Sequence, residues 1–362
     1  MFGLTNVITL WLFASITATY VLLLILFWQK LFRHGLPNLL LRLLLLALCQ
    51  ILVVSTVGIS INRSDGFYSS WTDLVGITKD FSAVATTSSE STILNASILD
   101  NGQNSFDGQV IIKDIVRGEQ SGISNVVYIV LPKDVVYRIK NSKPIDLRRT
   151  RIVELLAGYP AQPEFWMKSL NIARALATAE KVNPGISIIG VIPAVNVAGK
   201  HDLECMNFPN GGVQTETWLS TDLHSFVSHR LGISTAKWGL MGVSTGGWCS
   251  VMLSIKHADL FYGAVSIAGY YRPALAKKID PSIRLILNKE YVLPQLENAM
   301  TGRLYMLLIA SKSDSFSFNE TKKFLAMEHP SIQCEYIEIA LGGHNARVWM
   351  SQLAAAIDWL KV

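Results

Sequence analysis

Two long apolar runs open the chain. Residues 1–29 carry no charged side chain, and Ile8–Trp28 is apolar on every helical face, over the roughly 20 positions a helix needs to cross a bilayer. A second uncharged run, Leu43–Ile61, follows a short basic turn, Lys30 to Pro37. The pattern predicts a two-helix transmembrane hairpin over residues 1–62. A cleaved signal peptide has a basic leader and a shorter apolar core, whereas Met1–Asn6 is uncharged and the first run is too long. A soluble core helix shows a polar face, and these runs show almost none.

Residues 63–105 are rich in Ser, Thr, Asp and Gly and read as a linker or lead-in. From residue 106 the pattern becomes regular. Gly108–Val116 and Asn125–Leu131 predict two strands joined at Gly118–Gly122. Apolar, β-branched runs then recur at Arg151–Leu156, Ser187–Pro193, Lys237–Met241, Gly263–Ala268, Leu304–Ala310 and Cys334–Ile339. Helical periodicity separates them at Glu164–Lys181, Thr221–Arg230, Gly246–His257, Asn319–Met327 and Ala346–Leu360. Near-continuous apolar strands alternating with amphipathic helices predict an α/β fold with a mostly parallel sheet covered on both faces, over residues 106–362. Tyr271–Thr301 breaks the alternation and reads as an insertion over one end of the sheet.

Composition sharpens this division. Half the residues are hydrophobic, and the excess lies in the hairpin. The formal charge of +5 comes largely from Lys30, Arg33 and Arg42 of the hairpin, and the rest is near balance. No basic run tracks a phosphate backbone, so no nucleic-acid partner is expected. Basic residues near membrane ends stay cytoplasmic. The hairpin loop should therefore face the cytoplasm, and the N-terminus and everything after residue 62 should face outward. The cysteines, Cys49, Cys205, Cys249 and Cys334, form no CxxC or Cys/His set. Neither a metal nor a cofactor is expected.

The chemistry is carried by Gly242-Val243-Ser244-Thr245-Gly246. G-x-S-x-G is common by itself, but here an apolar strand precedes it and a helical pattern follows. That is the context of a nucleophile elbow, where small neighbours allow a tight strand-to-helix turn and expose the serine oxygen. A serine hydroxyl needs a base, and the base needs an acid to hold it. Along an α/β-hydrolase chain the order is Ser, acid, His. Of the downstream histidines, His257 ends the elbow helix as a solvated residue and His329 sits in a loop before Pro330. His344 directly follows a strand, flanked by glycines, and is the expected base. Asp314, just after the strand Leu304–Ala310, is the expected acid, with Glu320 as its alternative and a helix N-cap as its competing role. The backbone N–H of Thr245 should form half of an oxyanion hole. Tyr159, in the loop Ala157–Ala161 after an earlier strand, should supply the other half.

Several segments in this order resemble the Putative esterase family of α/β hydrolases, which includes mycolyltransferases, S-formylglutathione hydrolases and feruloyl esterases. They are Ser121–Ser124, Leu156–Pro160 with Trp166, Gly242–Gly247, and Gly342–Asn345 with Trp349 and Trp359. The resemblance covers residues 106–362 and is greatest to actinobacterial membrane-anchored esterases. Members of that group often carry a Glu-Cys element, here Glu204-Cys205, a Glu-Thr-Trp-Leu element, here Glu216–Leu219, and a cysteine like Cys249. Ala157 departs from the family, whose members commonly have His there. The acid position varies in the family, so Asp314 rests on chain order.

These readings imply a membrane-anchored, extracytoplasmic serine esterase acting on an acyl ester. A second possibility is an acyltransferase that passes the acyl group to an envelope glycan or lipid, and a third is an idle surface protein on a hydrolase scaffold. A complete Ser, Asp and His set argues against the third. An outward domain lies in a compartment where disulfides persist. Cys205 and Cys249 both belong to segments near the catalytic end of the sheet, and a disulfide between them is expected. Tyr68, Trp71 and the insertion are candidates for lining an acyl pocket.

Overall fold

The computed structural model describes residues 6–28, 36–65, 71, 84–85, 93–100, 108–182, 184–198, 202–234 and 236–361. The chain divides into two compact units: residues 1–79 with 343–347, and residues 80–342 with 348–362.

The first unit contains helices Val7–Phe27 and Leu36–Asp65. Asn6 caps the first, its side chain accepting from the N–H of Ile8 at 3.0 Å. Leu22, Ile25 and Leu26 are exposed, as are Leu44, Ile51 and Val54 of the second helix. Val7–Phe27 and Leu39–Arg63 are both long and apolar enough to cross a membrane. Their few polar groups join the helices. The Thr17 and Thr56 hydroxyls lie 2.9 Å apart, and the Tyr20 hydroxyl donates to the Leu45 carbonyl at 3.0 Å. Such interhelical bonds satisfy polar side chains that lipid cannot. Lys30 and Arg33 of the basic turn, and Tyr68, lie outside the described residues. Trp71 stacks on Phe13 at 6.2 Å.

The second unit is built on a nine-stranded sheet. The strands are β1 Val84–Ala85, β2 Val110–Arg117, β3 Ser124–Leu131, β4 Thr150–Leu156, β5 Ser187–Pro193, β6 Trp238–Val243, β7 Phe261–Ile267, β8 Leu304–Ser311 and β9 Ile332–Ile339. Their order is β1-β2-β3-β5-β4-β6-β7-β8-β9. From β5 to β9 every neighbouring pair is parallel; β3 runs antiparallel to both β2 and β5. The antiparallel start follows from the short Gly118–Gly122 turn, because a parallel crossover needs a dozen or more residues. The Asp222 carboxylate fixes that turn, accepting from the N–H groups of Gln120 and Ser121 at 3.0 and 2.9 Å.

The elements differ from the expected pattern in several places. Glu164–Lys181 is two helices, Glu164–Lys168 and Ile172–Val182, because Asn171 adopts a left-handed φ of 49° between them. Helix Lys133–Lys140 was not legible as a separate element. The insertion holds helices Pro281–Glu290 and Leu293–Ala299, whose Leu287, Tyr291 and Leu293 are buried. The end of the lead-in also packs into the core. Leu94 and Leu99 are buried, and the Leu94 N–H donates to the Arg230 carbonyl at 2.9 Å.

Ionisable groups also lie in the core, among them Asp114, Glu154 and Arg230. Arg230 and Asp114 form a buried pair at 3.1 Å. Burial nonetheless raises the Asp114 carboxyl above its ordinary range, outweighing Arg230. Glu154, in the central strand β4, is fully buried, and its carboxyl oxygens meet no hydrogen-bond partner among the described residues. Burial pushes this carboxyl well above the usual range. The folded state therefore holds the proton more tightly than the unfolded chain. Glu154 thus weakens the fold as pH rises above the ordinary carboxyl range.

Candidate active site

Ser244 follows β6 directly and begins the buried helix Thr245–Lys256. Its backbone lies at φ 56°, ψ −122°, a region that side chains other than glycine rarely occupy. The strain is held from both sides. The Ser244 N–H donates to the Ile267 carbonyl of β7 at 2.9 Å, and its carbonyl accepts from Gly247 and Trp248 at 2.8 and 3.2 Å. A Cβ on Gly242 would run into the Gly246 backbone, and one on Gly246 would run into the Leu156 carbonyl. Glycine at both positions is what lets strand and helix approach closely enough for the turn.

With Gly247 and Trp248 bonded to Ser244, the N–H groups of Thr245 and Gly246 are the ones the helix leaves over. They lie at the positive end of its dipole, which favours a developing anion. The loop after β4 lies against this turn, since a Cβ on Gly158 would come within 2.9 Å of the Ser244 Cβ. Gly158 is thus beside the serine, and Tyr159 follows it in the chain. Asn196 holds their loop, its amide donating to the Ala161 carbonyl at 2.5 Å and to that of Gly158 at 3.4 Å. Tyr159 is partly exposed, at 38%. Asn196 was missed in the sequence, although a polar residue just past the apolar strand β5 is the signal that finds such groups.

Asp314 lies at the same edge of the sheet, just past β8 and separated from β6 by β7. It caps helix Ser315–Leu325, and its Oδ2 accepts from the Ser317 hydroxyl at 2.6 Å. The Ser311 hydroxyl donates to the Gly342 carbonyl, and the Lys312 N–H to that of Ile339 at 2.9 Å. The loop bearing Asp314 is therefore tied to the chain leaving β9, and His344 follows closely in sequence. The alternative acid, Glu320, is bound to Arg272 and Lys323 at 3.0 and 2.9 Å. Burial raises its carboxyl, but these cations outweigh that and leave it below its ordinary range.

The other two downstream histidines are occupied. His329 has Nδ1 2.8 Å from Glu297 and Nε2 2.9 Å from the Phe324 carbonyl. His257 is not simply solvated, as its Nε2 lies 2.8 Å from the buried carboxylate of Glu216. Lys256 at 2.8 Å and the Tyr291 hydroxyl at 2.5 Å complete the Glu216 cluster. Burial acts to raise the Glu216 carboxyl, yet His257, Lys256 and Tyr291 overcome it and hold it at about 2. The cluster joins the Glu216–Leu219 element to the end of the elbow helix and to the insertion, a role no local pattern indicates.

Cys205 and Cys249 form a disulfide with a Cα–Cα distance of 5.7 Å. It fastens the loop after β5 to the first turns of the elbow helix. The bond closes a loop with a sequence separation of 44, worth about 3–4 kcal/mol in the chain-entropy description. A Cys205→Ala/Cys249→Ala chain should lose about that stability, and reductant should destabilise the parent but not the variant. Denaturation of the detergent-solubilised chain with and without dithiothreitol measures this. A cavity of about 880 Å³ opens at the N-terminal ends of the strands, lined by Arg151, Lys237, Arg303 and Tyr305. It lies at the far end of the sheet from Ser244.

Comparison with known proteins agrees with this architecture. The family described as "Putative esterase" matches residues 146–360, more than half of the chain. The chain is 21% identical over 227 residues to an uncharacterized protein of Corynebacterium glutamicum. That match takes in 58% of this chain and 52% of the relative, so the chain spans about half the relative's length. Among solved structures, a ferulic acid esterase superposes with a TM-score of 0.58 at 15% identity, covering 70% of this chain and 97% of that one. The fluorophosphonate-binding serine hydrolase F of Staphylococcus aureus gives 0.56 at 16%, covering 70% and 99%. An S-formylglutathione hydrolase of Agrobacterium tumefaciens gives 0.56 at 15%, covering 72% and 97%. At these identities the structural likeness speaks for the α/β-hydrolase fold alone. The chain belongs to the Putative esterase family and carries an α/β-hydrolase fold.

Proposed function

We propose that this protein is a membrane-anchored, extracytoplasmic esterase that cleaves an acyl ester through an acyl-enzyme on Ser244. In this reading His344 is the base and Asp314 orients it. The N–H groups of Thr245 and Tyr159 receive the oxyanion, residues 1–62 anchor the chain, and residues 106–362 carry the catalysis. The observation that carries the reading is the conformation of Ser244. A non-glycine residue at φ 56°, held between a strand and a buried helix, is strain that persists only where the surroundings enforce it. The reward is a half-buried nucleophile beside helix N–H groups.

The chemistry follows from these roles. His344 takes the Ser244 proton as the oxygen attacks the ester carbonyl. The carbonyl oxygen becomes an anion facing the Thr245 and Tyr159 amides. The intermediate collapses, the C–O bond to the alcohol breaks, and the alcohol leaves with the proton from His344. Water then attacks the acyl carbonyl, again losing its proton to His344, and the acid is released as Ser244 recovers its own. A sugar or lipid hydroxyl in place of water gives transfer, and anchoring beside envelope lipids favours such an acceptor.

The test is to incubate the detergent-solubilised chain with a fluorophosphonate and with p-nitrophenyl esters of several chain lengths, with and without sugar acceptors. Labelling with release of free acid is the expected result. A new acyl-sugar product would move the reading to transfer, and no labelling or turnover would reject both. The topology is tested by a reporter fused after Val362, expected to be active only on the outer side. Cytoplasmic activity would reject the orientation.

A further inference from the structure

Behind the elbow lies a chain of polar groups that the acyl-enzyme chemistry does not use. The Thr245 hydroxyl donates to Asp202 Oδ2 at 3.2 Å. The Tyr270 hydroxyl lies 3.2 Å from that same Thr245 oxygen and 2.8 Å from Glu204 Oε1. Glu204 Oε2 accepts from the Ala274 N–H at 3.2 Å. Glu204, Thr245 and Tyr270 are all buried. The surroundings hold them rigidly. Glu204 and Cys205 both have left-handed backbones, with φ 53° and 58°. The disulfide to Cys249 and the Trp248 indole N–H, donating to the Glu204 carbonyl at 3.0 Å, fix this turn to the elbow helix. Tyr270 stacks on Trp248 with ring planes 7° apart.

We propose that Glu204 is a positioning residue of the catalytic site, acting through the hydroxyls of Tyr270 and Thr245 to hold the backbone amide that follows the nucleophile. The inference rests on the reading of Ser244 as nucleophile and of Thr245 as an oxyanion donor. A tyrosine hydroxyl has one hydrogen and here two acceptors. With Glu204 protonated, the bonds run in one direction. The Glu204 carboxyl donates to Tyr270, Tyr270 to Thr245, and Thr245 to Asp202. Every group is then satisfied, and Thr245 is gripped from both sides. With Glu204 ionised, the Tyr270 hydrogen turns to the nearer carboxylate and Thr245 loses its donor.

The groups facing Glu204 favour the protonated arrangement. Burial pushes its carboxyl up to about 8; the neighbouring Asp202 adds to this, and Tyr270, the Ala274 N–H and Arg272 oppose it. The groups that the elbow helix contributes to this cluster, the Thr245 hydroxyl bonded to Tyr270 and the Trp248 indole bonded to the Glu204 carbonyl, are uncharged. Glu204 is thus protonated near neutrality, and the grip on Thr245 is released as pH rises through about 8. A triad that needs a neutral imidazole loses rate only on the acid side, so an alkaline fall in kcat is a separate signature.

The experiment measures kcat and KM for a p-nitrophenyl ester from about pH 6 to 9.5 on the full chain in detergent, beside fluorophosphonate labelling. The parent should lose kcat above about pH 8, by about tenfold, with KM nearly constant. Glu204→Gln, whose amide donates to Tyr270 at every pH, should keep kcat within about threefold at pH 7 and stay flat to pH 9.5. Tyr270→Phe preserves the ring stack and should lower kcat by about tenfold at pH 7 without an alkaline limb. If the parent labels but the limb is missing, survives in Glu204→Gln, or is untouched in Tyr270→Phe, the inference is overturned and the nucleophile stands. If the parent does not label, the nucleophile assignment falls and this inference with it.

Discussion

Ser244→Ala should abolish fluorophosphonate labelling and lower kcat by about 10⁴ or more, with little change in stability. The size follows from what the oxygen does. Without Oγ no acyl-enzyme forms, and only the oxyanion donors and substrate binding remain to speed attack by water. Stability should hold because the Ser244 backbone makes the bonds that fix the turn, to Ile267, Gly247 and Trp248, and alanine keeps them. His344→Ala should show a similar loss in rate, and the double variant should lose little more, since residues acting as one unit are not additive. Undiminished labelling of Ser244→Ala would remove the nucleophile from this serine and with it the acyl-enzyme route.

Asp314→Asn should reduce kcat by about 10⁴ while leaving the fold intact. This substitution separates two roles. As an N-cap, Asp314 accepts from Ser317, and asparagine caps a helix about as well as aspartate. A residue that only capped would therefore tolerate the change. As the acid behind His344 it would not, because an amide cannot stabilise an imidazolium and favours the wrong tautomer. Loss of rate with unchanged thermal unfolding is the expected pair of results. Equal rates for Asp314→Asn and parent, with a loss in Glu320→Gln, would move the acid to Glu320. The ion pairs of Glu320 with Arg272 and Lys323 argue for the first outcome.

Local chemistry made much of this protein legible from its sequence. The two uncharged runs had to become long apolar helices, because nothing in them offers a polar face. The strand pattern of Ser187–Pro193 appeared with the same bounds as β5, since a run buried on both faces tolerates no polar break. The elbow was legible because its sterics demand glycine at Gly242 and Gly246, and strain of that kind leaves a mark in the residue types themselves. The antiparallel β2–β3 pair was written in the short Gly118–Gly122 joint.

Tertiary structure decided whatever depends on residues far apart in the chain. Glu216 looks like an ordinary helical glutamate, and only folding brings Lys256, His257 and Tyr291 onto its carboxylate. Glu204 and Tyr270 lie 66 positions apart, and no periodicity relates them. The pairing of Asp114 with Arg230 spans 116 positions. Helix Glu164–Lys181 broke where Asn171 turned left-handed, a choice made by packing over propensity. Position along a strand is a short-range property and repeats with a period. The partners of a buried charge are set by how strands are ordered in the sheet, and that order, β5 before β4 and β6 after it, exists only once the chain has folded.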